Sequence, residues 1–219
     1  MTSSPGKIPG DQNSAGGKKR LLLIRHGRAG DPGTRRFIGQ TETRLTREGR
    51  LQADALASML ADVSISRILC SDLIRSRQTA EIIAGSRGLE IETDLWLREI
   101  YLGDWEGLSF DRVKQEDPEG FSQRGRDLAG FRPPRGESFA DLQARIVPVF
   151  QGIADRTEGT AAVVSHAGVN RVMLCHWLGM PLDRLFSLGQ DPGCLSVIDF
   201  GAKDRVIVRC MNLVPGFSL

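Results

Sequence analysis

The sequence has no long apolar run. Near the N-terminus the longest aliphatic stretch is residues 21–24, far short of the ~20 residues that span a bilayer. The first twenty residues also lack the apolar core of a secretion signal. No membrane partner and a cytoplasmic location are therefore expected. Cysteine is scarce: Cys70, Cys175, Cys194 and Cys210 are widely spaced and form no C-x-x-C pair. They read as reduced, mostly buried thiols, not as a disulfide framework. Histidine is scarcer, with only His26, His166 and His176. That spacing supplies no zinc ligand set, so neither a metal nor another cofactor is expected. Net charge is missing too: 29 Lys+Arg against 27 Asp+Glu leaves +2. So balanced a chain does not suit nucleic acid, where a basic stripe is needed.

What the chain has in excess is arginine, 24 of the 29 basic residues. A guanidinium suits bidentate capture of oxyanions, so individual arginines call for inspection even if most lie on the surface. A length of 219 residues with 40% hydrophobic and 26% charged composition fits an ordinary soluble globular protein. Residues 1–19, rich in Ser, Pro, Gly and Asn, read as a disordered tail. Residues 20–219 read as a single domain.

Along that domain short apolar runs alternate with helical patterns. A buried strand at 20–24 ends in Arg25-His26-Gly27, and Thr46 can cap a helix with Leu51, Ala55, Leu56, Met59 and Leu60 on its apolar face. A strand at 66–70 leads through Ser71-Asp72, as turn and cap, into a helix over 73–84. A third strand is expected at 89–92. The stretch 118–136, with Pro133-Pro134 and several arginines, reads as an irregular cover over the sheet. A helix follows from 137, then a strand at 160–165 ending in His166-Ala167-Gly168, a helix over 169–178, and strands at 194–200 and 205–210. This alternation predicts an α/β three-layer sandwich, a mostly parallel central sheet with helices on both faces. In such sheets the ligand site lies beyond the carboxyl ends of the strands.

Three strand ends then deliver polar residues to one rim: Arg25 and His26, Ser71-Asp72 with Arg75, and His166. Two imidazoles and two guanidiniums around one cavity suit a tetrahedral oxyanion, phosphate being the commonest. Helix starts near Asp72 and Gly168 are expected to aim free N–H groups at it. A neutral imidazole is a competent nucleophile near neutral pH without a separate base. His176 falls in register with Val169, Val172 and Met173, which reads as a packed or hydrogen-bonded helix residue. Arg28, Arg35, Arg36, Arg124, Arg126 and Arg132 read mostly as a solvated surface from which one or two could reach an anionic substrate.

The motif Leu21-Leu22-Leu23-Ile24-Arg25-His26-Gly27 resembles the signature of the histidine phosphatase superfamily, with its phosphoglycerate mutase-like fold. The resemblance continues, in the family's order, through Arg36-Phe37-Ile38-Gly39, Leu45-Thr46-Arg47-Glu48-Gly49 and Cys70-Ser71-Asp72-Leu73-Ile74-Arg75. It is carried further by Leu97-Arg98-Glu99, Gly103-Asp104-Trp105-Glu106-Gly107, Gly136-Glu137-Ser138 and Ser165-His166-Ala167-Gly168. It implies a phosphomonoester hydrolase of the histidine acid phosphatase type. His26 would carry the phosphoryl group, Arg25, Gly39, Arg75 and His166 would hold it, and Glu99 would act as general acid and base. Asp104 and Glu106 are rival acids nearby. An alkoxide leaving group needs a proton, and a carboxylic acid shielded from water can hold one near neutral pH.

His166 follows Glu99 by only 67 positions. Mutases of the superfamily carry a longer insert there, so the chain resembles the compact phosphatase branch that includes alpha-ribazole phosphatase. The expected substrate is a small-molecule phosphomonoester, hydrolysed without a metal. The alternatives are a phosphoglycerate mutase-type transfer and a non-catalytic phospho-ligand binding module. Where family members carry Ser or Thr and then Asn after the nucleophile, this chain has Ala29, Gly30 and Pro32, a departure that bears on substrate identity. The apolar C-terminal hairpin leaves room for a homodimer.

Overall fold

The computed structural model describes residues 19–30, 33, 35–85, 87–202 and 205–216. The tail expected at 1–19 lies outside these residues except for Lys19, which already belongs to the first strand. That strand, β1 (Lys19–Arg25), is followed by α1 (Arg47–Met59), β2 (Arg67–Ser71), α2 (Ile74–Ala84) and β3 (Ile91–Asp94). Then come α3 (Phe110–Glu116), α4 (Pro118–Arg126), α5 (Phe139–Asp155), β4 (Thr160–Ser165), α6 (Ala167–Leu178), β5 (Leu195–Phe200) and β6 (Val206–Leu213). The six strands form one sheet in the order β3-β2-β4-β1-β5-β6. The pairings β2–β3, β2–β4 and β1–β4 are parallel, whereas β5 joins β1 antiparallel and β6 joins β5 antiparallel.

Strand alternation sorts the core into two layers. Leu21 and Leu23 of β1 and Ala161 and Val163 of β4 pack with Leu142, Ile146 and Phe150 of α5 and Val169 and Val172 of α6. Their neighbours Leu22, Ile24, Ala162 and Val164 pack on the other face with Leu56 and Leu60 at α1 and Ala80 and Ile83 of α2. Both faces are thus covered, which is why β1 over 21–24 and β4 over 161–164 are continuously apolar. This is the three-layer arrangement expected from the sequence.

Several local expectations need correction. Thr46 does cap α1, accepting from the Gly49 N–H at 3.0 Å, but Leu51 is 60% exposed and the buried stripe is Gly49, Ala53, Leu56 and Leu60. The helix phase is set by a close approach of Gly49, where a Cβ would stand 2.0 Å from the Arg28 carbonyl oxygen. The next helix starts at Ile74 with Leu73 as its N-cap, so Ser71 and Asp72 do not cap it. Asp72 instead pairs with Arg98. The stretch expected to be irregular holds α4 and adjoins α3: Ser109 caps α3 by accepting from Arg112 N at 3.2 Å. Asp117 caps α4 through Gly120 N at 2.9 Å, with Pro118 in the first turn, where its missing N–H costs nothing. His176 is exposed in the last turn of α6 and is not packed.

Candidate active site

Parallel register brings the two histidines together. Arg25, the last residue of β1, lies opposite Ser165, the last of β4, and His26 N adds one more bond to Ser165 O at 3.0 Å. The next residue of each strand is therefore a histidine at the same rim. Their ring centroids are 5.1 Å apart. His26 is 8% exposed and His166 fully buried. His26 Nδ1 lies 2.7 Å from the Gly27 carbonyl, and Arg75 Nε donates to Nε2 at 3.2 Å. A carbonyl only accepts and a guanidinium only donates, so the network assigns the proton to Nδ1 and a lone pair to Nε2. Burial first, then the charges of Arg75 and Arg25, hold His26 well below the ordinary imidazole range; the Gly27 carbonyl works the other way. His166 is lowered likewise, by burial and then by Arg75, His26 and Arg25. Both nitrogens of His166 are buried without a hydrogen-bond partner among the described residues.

Arg75, at the start of α2, is 2% exposed. Its Nη2 donates to the Gly39 carbonyl at 2.6 Å and its Nη1 to the Thr41 carbonyl at 2.7 Å, so one guanidinium ties the loop carrying Gly39 to the nucleophile candidate. Gly39 has φ +51°, a backbone conformation that favours glycine, and a Cβ there would stand 2.3 Å from Glu106 Oε1. Arg25 Nη1 donates to the Gln190 carbonyl, while its Nε is buried without a partner among the described residues.

The three candidate acids separate by geometry. Glu99 lines the cavity together with His26, Arg25 and Arg75. Its Oε2 accepts from Gly168 N at 3.0 Å and its Oε1 from Ile100 N at 2.9 Å. Asp104 is held by Arg135 Nε at 2.6 Å on the exposed side. Glu106 accepts from Gln40 N at 2.7 Å, Leu102 N at 3.2 Å and Thr41 Oγ1 at 3.2 Å, which makes it an organiser of the loop. At the helix starts two N–H groups already have acceptors. Gly168 N serves Glu99, and Ile74 N serves Glu42 Oε2 at 3.0 Å.

These groups open into a cavity of about 400 Å³. Arg28, Arg36 and Arg124, read from sequence mostly as surface, line it, and so does Arg171, which sequence reasoning did not single out. Arg171 sits one turn after Gly168 on α6, so helical spacing from the His166 motif was a usable signal. Arg35 stacks on Phe110 at 5.0 Å from the ring centroid, and Arg132 pairs with Asp141; neither lines the cavity. Among the described residues no group of three or more His, Cys, Asp or Glu side chains is placed to hold a metal ion, and no helix is long and apolar enough to cross a membrane. Cys70, Cys175 and Cys194 are buried free thiols and Cys210 is half-buried; burial pushes Cys70 up to about 12 and Cys194 up to about 11.

This mostly parallel sheet, with two histidines, the buried Arg75, the part-buried Arg25 and the Glu99 carboxylate gathered beyond the carboxyl ends of its strands, defines an enzyme of the phosphomonoester hydrolase class. Residues 21–213 match the model of the histidine phosphatase superfamily (branch 1), and the chain belongs to that superfamily. It is 32% identical over 194 residues to the adenosylcobalamin/alpha-ribazole phosphatase of Escherichia coli (strain K12), covering 88% of this chain and 95% of that protein. It is 34% identical over 179 residues to the glucosyl-3-phosphoglycerate phosphatase of Mycolicibacterium vanbaalenii, covering 78% and 79%. The crystal structure of the alpha-ribazole phosphatase from Shigella flexneri superimposes with a TM-score of 0.83 at 31% identity, over 91% of this chain and 100% of that one.

Proposed function

We propose that residues 20–219 act as one catalytic unit, a phosphomonoesterase that hydrolyses a small phosphorylated metabolite through a phosphohistidine on His26. The observation that carries the reading is the hydrogen bonding of His26, whose Nδ1 is against the Gly27 carbonyl and whose Nε2 is against the buried Arg75, with Arg25 and Glu99 lining the same cavity. The Nε2 lone pair attacks phosphorus and forms an N–P bond as the ester P–O bond breaks. The Glu99 carboxylic acid gives its proton to the departing alkoxide, which leaves as the alcohol. Water then attacks the same phosphorus, its proton returning to Glu99, and the N–P bond breaks to free phosphate and neutral His26. Arg25, Arg75 and His166 face the phosphoryl oxygens, where donors aimed at developing charge are worth most. The backbone carbonyl on Nδ1 stabilises the imidazolium that forms during transfer.

The names of the relatives divide between alpha-ribazole and glucosyl-3-phosphoglycerate substrates, which supports a small phosphorylated molecule as the class. Incubation with a phosphomonoester labelled at phosphorus, followed by alkaline denaturation, is expected to leave acid-labile label on the wild type and none on His26→Ala. An unlabelled wild type, or a labelled His26→Ala, removes the mechanism.

A further inference from the structure

The floor of the cavity is buried and its mouth is not. His26 and Arg75 are nearly inaccessible, whereas Phe186, which lines the same cavity, is 52% exposed. Over the Phe186 ring lie two guanidinium carbons, Arg171 at 5.4 Å and Arg124 at 5.7 Å from its centroid, and Arg124 also lies 5.4 Å from the centroid of Phe37. Arg171 is tethered by Nε to the Leu188 carbonyl at 2.9 Å. Arg124 comes from α4 and Arg171 from α6, so the pair is assembled by the tertiary fold. Neither has a carboxylate within ion-pair distance among the described residues. Arg28, further round the wall, is offset by Glu48 at 3.1 Å.

A partly buried guanidinium without a counter-charge is costly unless its partner comes from outside. Burial lowers the pKa of Arg124 with no acid opposing it, and that of Arg171 with Glu99 and Asp191 only partly opposing it. Stacking on an aromatic face restricts the guanidinium while leaving its N–H edge free for a planar, bidentate acceptor. A transferred phosphoryl group already has Arg25 and Arg75 at the floor, so it does not account for two more arginines at the mouth.

We propose that Arg124 and Arg171 form a second anion subsite, and that the substrate is a phosphomonoester bearing a further anionic group, such as a carboxylate. Arg124 and Arg171 line the same cavity of about 400 Å³ as Arg25 and Arg75, a size that suits one small substrate carrying both anionic groups. The assignment rests on the reading that Arg25 and Arg75 hold the transferred phosphoryl group.

The test compares kcat/KM for 3-phosphoglycerate and glycerol 3-phosphate, which share a phosphorylated primary alcohol and differ in one carboxylate. Wild type is expected to favour the carboxylate about tenfold or more, the scale of one charge-assisted hydrogen bond. Arg124→Gln and Arg171→Gln are each expected to lower that ratio towards one, and Arg124→Lys, which keeps the charge but not the fork, to lower it part of the way. A wild-type ratio near one overturns the subsite without recourse to any variant. Equal losses on both substrates in the Gln variants indicate general steering and also overturn it. Labelling of His26 by an aryl phosphate separates the two readings. Label with a ratio near one removes the subsite alone, and no label removes the phosphohistidine reading and the subsite with it.

Discussion

Replacing Gly168 with alanine tests the acid without altering it. The new Cβ would stand 2.3 Å from Glu99 Oε1 and 3.1 Å from its Cδ. The obstructing atoms are the end of a flexible side chain, so the carboxyl yields and the backbone does not. An ordinary contact is at least 3.4 Å, which requires a displacement of about 1 Å. A misplacement of that size costs about 100-fold in a positioned proton transfer. The stability change is small by comparison. Weakening the Gly168 N–H bond to the carboxylate costs at most about 1.5–3 kcal/mol, and alanine in place of a helical glycine returns about 0.5–1 kcal/mol. The assay is kcat/KM on an alkyl and an aryl phosphate, since kcat/KM reports the steps up to loss of the leaving group. An alkoxide depends on the acid and an aryl oxide depends on it much less. The alkyl ester is expected to lose about 100-fold and the aryl ester less than about tenfold. Equal losses on both esters, or no loss on either, would refute the assignment of Glu99 as the proton donor.

Two further predictions concern stability. Both histidines have folded pKa values held below the unfolded value by burial and neighbouring arginines. The unfolded chain therefore binds protons below pH 6.5 that the folded chain refuses. Their contribution is complete above pH 6.5 and is lost as pH falls from there towards the folded values, at up to about 1.4 kcal/mol per pH unit for each histidine. Urea midpoints measured from pH 6.5 down to 5 are expected to fall, and His166→Gln to remove about half of the histidine share; a midpoint that holds level or rises on acidification contradicts this. At Gly27 a Cβ would meet the Gly49 carbonyl oxygen at 2.2 Å, a backbone atom that cannot swing aside. Gly27→Ala is expected to lose about 1–3 kcal/mol in denaturant unfolding, while Gly125→Ala, with nothing within 4 Å, is not; equal midpoints for the two variants count against the packing account.

The strands that build the site were legible because each is a short apolar run stopped by polar residues, and β4 falls at 160–165 as expected. What the runs could not convey was lateral order. That His26 and His166 are neighbours follows from β1 pairing directly with β4, a long-range choice between several apolar strands of similar composition. The pair α3 and α4 was missed because its sequence is polar, with Gly120 and Gly125 weakening any helical pattern. The Asp117-Pro118 dipeptide, a cap followed by a first-turn proline, was the available signal. Missing α4 meant misplacing Arg124, which meets Phe37 and Phe186 from two other, separated parts of the chain. Leu51 shows the converse error. Its apolar character on a helix points to the core, whereas the close approach at Gly49 rotates α1 so that Leu51 faces water.

The arginine-rich floor solves two problems with one set of charges, and this fixes what Arg75 must do on the proposed pathway. A cationic, desolvated surrounding keeps His26 neutral, which a nucleophile requires. A phosphate dianion brought to the same place weakens that field, because its own charge favours the imidazolium. Geometry still keeps a proton off Nε2, since the Arg75 Nε–H occupies that position at 3.2 Å while Nδ1 is committed to the Gly27 carbonyl. The attack, however, needs the lone pair that this N–H covers. Arg75 therefore has to turn its Nε–H from Nε2 to a phosphoryl oxygen as phosphorus approaches. It can do so without leaving its place, because Gly39 and Thr41 hold the other end of the guanidinium. On the proposed pathway the nucleophile is uncovered by the act of binding the group it attacks, and phosphate capture and histidine activation become a single exchange of one hydrogen bond.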